Sequence, residues 1–244
     1  MPRTVDVSDA HDYLRKRGKD LDENLDIVTT DDGVIIELFL PPDRLRFRHS
    51  YVESGFFKRA QQSSQALLKA CNNRQRGIHT VLDLTGGWGM DSFILAQHGQ
   101  RVTMIEHDRL IYSISTHSLE CARSIRRSKA AADRIETIHI AALEFLQSLG
   151  KEEHFDCIYL DPMFPSHHSS AKPAGEMQIL QYLTSNDDID RCFDLALRKA
   201  GSRVVVKRPA KAAPLADSSP DLVFREKSIR FDVYLTTGLS HENC

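Results

Sequence analysis

The stretch Cys157-Ile158-Tyr159-Leu160-Asp161-Pro162-Met163-Phe164-Pro165 holds the residues best suited to chemistry. An apolar run ends on an acid, a proline and an aromatic, the pattern of a buried strand handing its C-terminal edge to a loop. Such a loop suits an exocyclic amine on a flat base. The Asp161 carboxylate and the Pro162 carbonyl can each accept a hydrogen bond from an NH2 group. Phe164 can stack on the ring that bears it, and proline stiffens the turn without adding an N–H donor. The plainer alternative is that Asp-Pro caps the strand and Phe164 belongs to the core; an isolated Asp-Pro-x-Phe does not separate the two.

A second group of residues precedes it. Asp83-Leu84-Thr85-Gly86-Gly87-Trp88-Gly89 lies between a strand-like run and a helix-like one. Glycines let a backbone turn sharply and approach a ligand closely, and a helix N-terminus adds directed N–H groups. A glycine-rich turn alone also serves nicotinamide and flavin cofactors. Two acids discriminate. Asp83, directly before the glycines, would repel a pyrophosphate but suits the ammonium of an amino-acid cofactor, directly or through water. Glu106, at the end of the next strand, is placed to accept both hydroxyls of a ribose. Together they favour S-adenosylmethionine (SAM) over a dinucleotide. Against this stands the reading in which Asp83 is a strand-end cap and Glu106 a surface acid.

Loops so far apart in the chain need a scaffold that carries them to one rim. Strand-like runs at Thr80–Leu84, Val102–Ile105, Ile135–Ile140, Phe155–Leu160 and Arg203–Lys207 alternate with helical stretches at about Met90–Gln97, Arg109–Arg127, Ala142–Leu149 and Asp187–Lys199. Gly99 and Gly201 fit the helix stops. Leu222–Arg225 and Ile229–Thr236 read as a closing pair. This spacing predicts an α/β fold with a doubly wound, mostly parallel, seven-stranded Rossmann-like sheet. In such a sheet ligands sit outside the carboxyl ends of the strands, where the strand order switches. Strands one, two and four would then deliver Gly86–Gly89, Glu106 and Asp161 to one rim. Upstream, Ile27–Leu40 is two β-type runs around Asp32-Gly33, a hairpin signal, ended by Pro41-Pro42. Residues 1–24 are polar with one expected short helix, and Phe57 to Cys71 is helical in pattern. The expected organisation is a small N-terminal α+β appendage over residues 1–55 and a larger site-bearing domain over residues 56–244.

The bulk numbers narrow the class. The chain has 244 residues, 41% hydrophobic and 27% charged, ordinary for a soluble globular protein. No run approaches a membrane span, and the charged N-terminus shows no signal peptide, so a cytoplasmic location is expected. The five cysteines are widely spaced without a CxxC pair, which fits reduced thiols. Eleven histidines include no HExxH spacing and no metal site is expected. A net charge of −2 argues against nonspecific coating of nucleic acid. The basic residues are nonetheless clustered, at Arg15-Lys16-Arg17-x-Lys19, Arg44-x-Arg46-x-Arg48, Lys58-Arg59, Arg123-x-x-Arg126-Arg127-x-Lys129 and Lys207-Arg208-x-x-Lys211. Most such clusters are solvated faces. One or two beside an active site would suffice to hold an RNA backbone; Lys58-Arg59 and Lys207-Arg208, which flank the expected rim, are the candidates.

Several stretches together resemble a known family. They are Leu82-Asp83-x-Thr85-x-Gly87-x-Gly89-x-Asp91, Tyr159-Leu160-Asp161-Pro162-Met163-Phe164-Pro165, Glu176-Met177, Arg203-Val204-Val205-Val206-Lys207-Arg208-Pro209 and Arg230-Phe231-Asp232-Val233-Tyr234. The resemblance is to the RsmJ-type small-subunit rRNA guanine-N2 methyltransferases and covers about residues 25–237. It implies a class I methyltransferase sheet and SAM-dependent methylation of a guanine near the 3′ end of 16S rRNA, guanine-1516 in the family. The partner it implies is small-subunit rRNA or the assembled small subunit, with no membrane and no metal. The cofactor positions it carries over are Met90-Asp91, Glu106-His107, Ala141-Ala142 and Asp161. The family often has Ser where this chain has Ala141-Ala142, so only backbone contacts are expected there.

The implied chemistry agrees with the residues. The guanine N2 lone pair is delocalised into the ring, so hydrogen bonds from its two N–H groups to Asp161 and the Pro162 carbonyl would orient it. The task is mostly alignment. The base must leave its stack to reach such a pocket, and Phe164 would replace the lost stacking. Two other readings stay open: an adenine or glutamine amine as target, and a catalytically idle methyltransferase fold acting as an RNA-binding or assembly module. Intact Asp83, Glu106, Asp161 and Phe164 speak against the idle fold. His167 and His168, in the loop after Phe164, read as solvated or phosphate-contacting.

Overall fold

A computed structural model describes residues 25–40, 43–53, 65–72, 77–150, 153–162, 178, 180 and 188–236. The expected helix within residues 1–24, most of the one expected from Phe57, and Phe164, His167 and His168 lie outside these residues.

The N-terminal part is a three-stranded antiparallel sheet, β1 (Leu25–Thr30), β2 (Gly33–Leu40) and β3 (Asp43–His49), in that order. Thr30 pairs with Gly33, so the hairpin turn is Asp31-Asp32, one residue earlier than the Asp32-Gly33 expected. Asp32 closes it by accepting from the Thr30 hydroxyl at 2.9 Å. Gly33 belongs to the strand, and a Cβ there would collide with the His49 carbonyl of the crossing strand. The hairpin ends at Leu40, before Pro41-Pro42 as expected, and a third strand, β3, follows the prolines. Its signal was present as alternation, with Arg44, Arg46 and Arg48 facing solvent and Leu45, Phe47 and His49 facing inward. β2 alternates likewise. Val34, Ile36 and Leu38 pack with Trp88 and with Leu110, Ile111 and Ile114 of a helix in the main body.

The main body is a seven-stranded sheet in the order β6-β5-β4-β7-β8-β10-β9. Its members are β4 (Thr80–Asp83), β5 (Arg101–Glu106), β6 (Ile135–His139), β7 (Phe155–Leu160), β8 (Ala200–Pro209), β9 (Leu222–Arg225) and β10 (Ile229–Leu235). The first five run parallel, while β10 is antiparallel to both its neighbours. Among the described residues the helices are α1 (Gln65–Ala70), α2 (Met90–Gln97), α3 (Arg109–Ser124), α4 (Arg126–Ala132), α5 (Ala142–Ser148) and α6 (Ile189–Lys199), with a 3-10 turn at Leu215–Asp217. The parallel strands carry continuous apolar runs such as Val204-Val205-Val206, because both faces are covered. One core unites α1, α2, α3 and α4 residues with one face, and a second unites α5 and α6 residues with the other. No described helix is long and apolar enough to cross a membrane.

Two expectations need correction. The long helix expected from Arg109 to Arg127 breaks at Ile125, whose backbone is extended at φ −107° and ψ 120°. Ser128 stabilises the break by donating to the Ala122 carbonyl at 2.7 Å, in competition with helical pairing. Gly201 is not a helix stop. α6 runs into β8 through an extended Ala200, and Gly201 is already strand, where a Cβ would sit 3.3 Å from the Phe155 carbonyl. The strand order steps from β4 to β5 and β6 on one side and to β7 and β8 on the other. The switch point therefore lies between the carboxyl ends of β4 and β7.

Candidate active site

A pocket of about 680 Å³ opens at that switch point, a size usual for small-ligand sites. Asp83, Gly86, Gly87 and Gly89 line it from the turn after β4, and Met90 and Asp91 from the start of α2. Glu106 and His107 line it from the end of β5, Ala141 and Ala142 from the start of α5, and Asp161 and Pro162 from the end of β7. The fold thus brings every expected site residue to one pocket except Phe164, which is outside the described residues.

The glycine turn is held from inside. Gly87 and Gly89 have φ of 51° and 66°, values that favour glycine. The Gly86 N–H donates to the Ile105 carbonyl at 2.8 Å, so the turn lies against β5, where a Cβ on Gly86 would be 2.8 Å from that same oxygen. A Cβ on Gly89 would collide with the Tyr51 hydroxyl. Tyr51 donates that hydroxyl to the Trp88 carbonyl at 2.7 Å and stacks on Phe93 with centroids 4.7 Å apart. Sequence reasoning missed Tyr51, and no local pattern marks it, since its partners are 37 and 42 residues away.

The two acids of the rim are both committed to the backbone around them. Asp83 Oδ1 accepts from the Thr85 N–H at 3.0 Å, and Oδ2 accepts from the Ser92 hydroxyl at 2.6 Å. Glu106 Oε2 accepts from the Gly87 N–H at 2.8 Å, and Oε1 from the Asp108 N–H at 2.7 Å. His107 Nδ1 lies 3.3 Å from Glu106 Oε1. Burial pushes both carboxyls up to about 7, against the pull of these hydrogen bonds. The Thr85 hydroxyl also donates to Asp83 Oδ1, at 3.3 Å, so the oxygens with a single donor named here are Asp83 Oδ2 and Glu106 Oε2. A ligand supplying donors would meet an acid already aimed by the turn.

Asp161 is tied to the same turn, since its N–H donates to the Thr85 hydroxyl at 2.6 Å. Its Oδ2 accepts from the Lys207 ammonium at 2.8 Å, and the same ammonium donates to Asp91 Oδ2 at 2.8 Å. Tyr159 also donates to Asp91 Oδ2, at 2.6 Å. Burial would raise Asp91, but Lys207 and the Tyr159 hydroxyl outweigh it and hold the carboxyl below its usual range. Asp161 goes the other way. Burial and the nearby Asp91 charge lift it above its usual range in spite of Lys207.

Lys207-Arg208 does not fit the RNA-contact role expected for it. The Lys207 side chain is 22% exposed and bound to two carboxylates, and Arg208 is buried, donating through Nη2 to the Ala213 carbonyl at 2.6 Å. A basic pair at the end of a central strand points into the fold's own polar network, because the strand is covered on both faces. Lys58-Arg59 lies outside the described residues.

The chain matches the SAM_MT family model, of SAM-dependent methyltransferases, over residues 34–236. It is 42% identical over 173 residues to the Ribosomal RNA small subunit methyltransferase J of Coxiella burnetii (strain Dugway), an alignment covering 70% of this chain and 66%, just under two thirds, of that protein. The protein of the same name from Legionella pneumophila (strain Lens) is 39% identical over 181 residues, covering 73% of this chain and 71% of its own length. The solved structure of a SAM-dependent methyltransferase from Neisseria gonorrhoeae superposes with a TM-score of 0.68 at 26% identity, over 91% of this chain and 88% of that one. A match across most of the chain, relatives near 40% identity and a shared fold agree: the chain belongs to the SAM-dependent methyltransferases of the ribosomal RNA small subunit methyltransferase J family.

Proposed function

We propose that this protein transfers a methyl group from SAM to the exocyclic N2 of a guanine in small-subunit 16S rRNA, with the family position, guanine-1516, as the target. The observation that carries the reading is that Asp161-Pro162 opens into the same pocket as the glycine turn and Glu106, with Asp161 Oδ1 engaged by no donor among the described residues. An amine presented there would lie beside a cofactor held by the turn.

The residues suit SAM. Glu106 offers a buried carboxylate to a ribose, and Ala141-Ala142 offers backbone and a small apolar surface. Asp83 organises the turn through Thr85 and Ser92 and puts negative charge beside a cationic ligand. When bound, SAM supplies an electrophilic methyl group. The protein's own work is then alignment. Asp161 Oδ1 and the Pro162 carbonyl accept the two N–H bonds of the target amine and so direct its lone pair. Asp161 takes the proton that the amine loses, and its 35% exposure gives that proton a way to solvent. Phe164 stacks on the extruded base.

The decisive experiment maps modified guanines in rRNA from a deletion strain, beside methylation by purified protein of small subunits, naked 16S rRNA and a short hairpin. The expected result is loss of one N2-methylguanine and transfer to a large, structured RNA. An unchanged modification map would refute the reading.

A further inference from the structure

Lys207 has no role in the steps above, yet it occupies the centre of the polar network. Its ammonium joins β8 to α2 through Asp91 and to the end of β7 through Asp161, each at 2.8 Å. Resting on the amine-methylation reading above, we propose that Lys207 is a positioning residue: by holding Asp161 Oδ2 it leaves Oδ1 as the oxygen that meets the target amine, and it keeps the carboxylate anionic.

The charges that face Asp161 make such a residue necessary. Asp83 approaches from β4, Asp91 from α2 and Tyr159 from within β7, while Glu226, between β9 and β10, acts on Lys207 and Asp91. Three carboxyls thus crowd a buried space with one ammonium among them. Burial and like charge both favour protonation of a carboxyl. A protonated Asp161 would turn an O–H donor toward an amine that also donates, and the alignment would be lost. Asp161 is already lifted above its usual range by burial, so protonation comes more easily there than on a solvated carboxylate.

The same geometry excludes Lys207 as the base. Burial alone would lower its pKa, but Asp161 and Asp91 on either side outweigh that and raise it well above the usual range. Lys207 stays an ammonium throughout. The proton released by the amine goes to Asp161 and then to solvent, and Lys207 neither gains nor loses one.

The test compares Lys207→Met, Lys207→Gln and Lys207→Arg with the parent protein, after thermal melts establish that each folds. One readout is the pH profile of single-turnover methyl transfer to small subunits at saturating SAM. The other is a carbon-13 NMR titration of the Asp161 carboxyl, which needs no substrate. Lys207→Met and Lys207→Gln should lower the single-turnover rate about 10- to 100-fold, the scale of a misplaced reacting group. Both should move the acid limb of the profile, and the Asp161 titration, to higher pH; Lys207→Arg should bring both back toward the parent. Asp91→Asn carries the opposite sign. It removes a like charge and leaves Lys207 to Asp161 alone, so limb and titration move to lower pH, and this variant decides the matter if the Lys207 variants do not fold. The proposal is overturned if Asp161 titrates in Lys207→Met as it does in the parent. It is equally overturned if the loss appears only as a raised KM for SAM with the acid limb in place, which would make Lys207 a cofactor contact. A parent that methylates no rRNA, but in which Lys207→Met still shifts Asp161, would remove the reaction reading while supporting the charge-holding role.

Discussion

Two groups of opposite charges in this molecule do different things with the same chemistry. On the outer face of β3, Arg44 and Arg46 share Glu37, with Arg46 Nε 3.2 Å from Oε1, and Arg48 meets Asp32. Arg44 and Arg46 are 71% and 66% exposed, so water screens both pairs and each is worth at most about 1 kcal/mol. At the pocket, Lys207 bridges Asp91 and Asp161 with most of its surface covered. There the loss of one partner leaves a charge that water screens only in part. The exposed pairs decorate a sheet whose stability comes from Val34, Ile36 and Leu38 against α3. The covered ones decide which atoms of the pocket are charged and where they point.

The contrast can be broken by substitution. The largest effect is expected at Asp161→Ala. Methyl transfer should fall at least ~100-fold, because alignment of the amine is lost, while RNA affinity, expected to rest mainly on phosphate contacts, should largely survive. Single-turnover transfer beside a filter-binding curve measures both; near-parental transfer would reduce Asp161-Pro162 to a strand cap. Glu106→Gln comes next. Losing charge-assisted hydrogen bonds to a ribose should weaken SAM by roughly 1.5–3 kcal/mol in calorimetry, with the fold intact.

A third measurement sharpens the comparison through pH. Burial lifts Glu106 to about 7 in the ligand-free protein, from 4.5 in the unfolded chain. The native state therefore holds a proton that the unfolded chain gives up. Its contribution to stability is full below 4.5 and is lost as the pH rises through 7. SAM affinity should run the other way, rising roughly tenfold between pH 6 and 8 as the carboxylate ionises and can accept from hydroxyls. Calorimetry across that range should show the rise in the parent and a shallower one in Glu106→Gln, where Asp83 still ionises near 7; equal profiles would mean that Glu106 does not meet the ligand as an anion. The smallest effect belongs to the outer face. Arg46→Ala should change stability by less than about 0.5 kcal/mol in denaturant unfolding. A loss of 2 kcal/mol or more, beyond the usual range for an exposed pair, would show that the outer pairs hold the sheet together as the covered ones hold the pocket.

Much of the site was legible because its residues fall at strand ends. Asp83, Glu106 and Asp161 each close an apolar run, and a parallel sheet puts such ends on one rim. β3 is hard to read because its arginines look like a solvated charge cluster, although their period of two, with Leu45, Phe47 and His49 between them, is that of a strand. Lys207 was misjudged for a related reason. A Lys-Arg pair looks like a phosphate contact until the acids around it are known, and those lie 46 and 116 residues away.

The sequence by itself determined the alternation of strands and helices, the parallel sheet that follows from it, and the acids at its carboxyl edge, because hydrophobic period and strand-end punctuation are local properties. Only the tertiary structure decided the partners: Tyr51 behind Gly89, Thr85 under Asp161, and Lys207 between Asp91 and Asp161. Those contacts join segments far apart in the chain. Their energies depend on burial and on distances of about 3 Å, which no local pattern encodes.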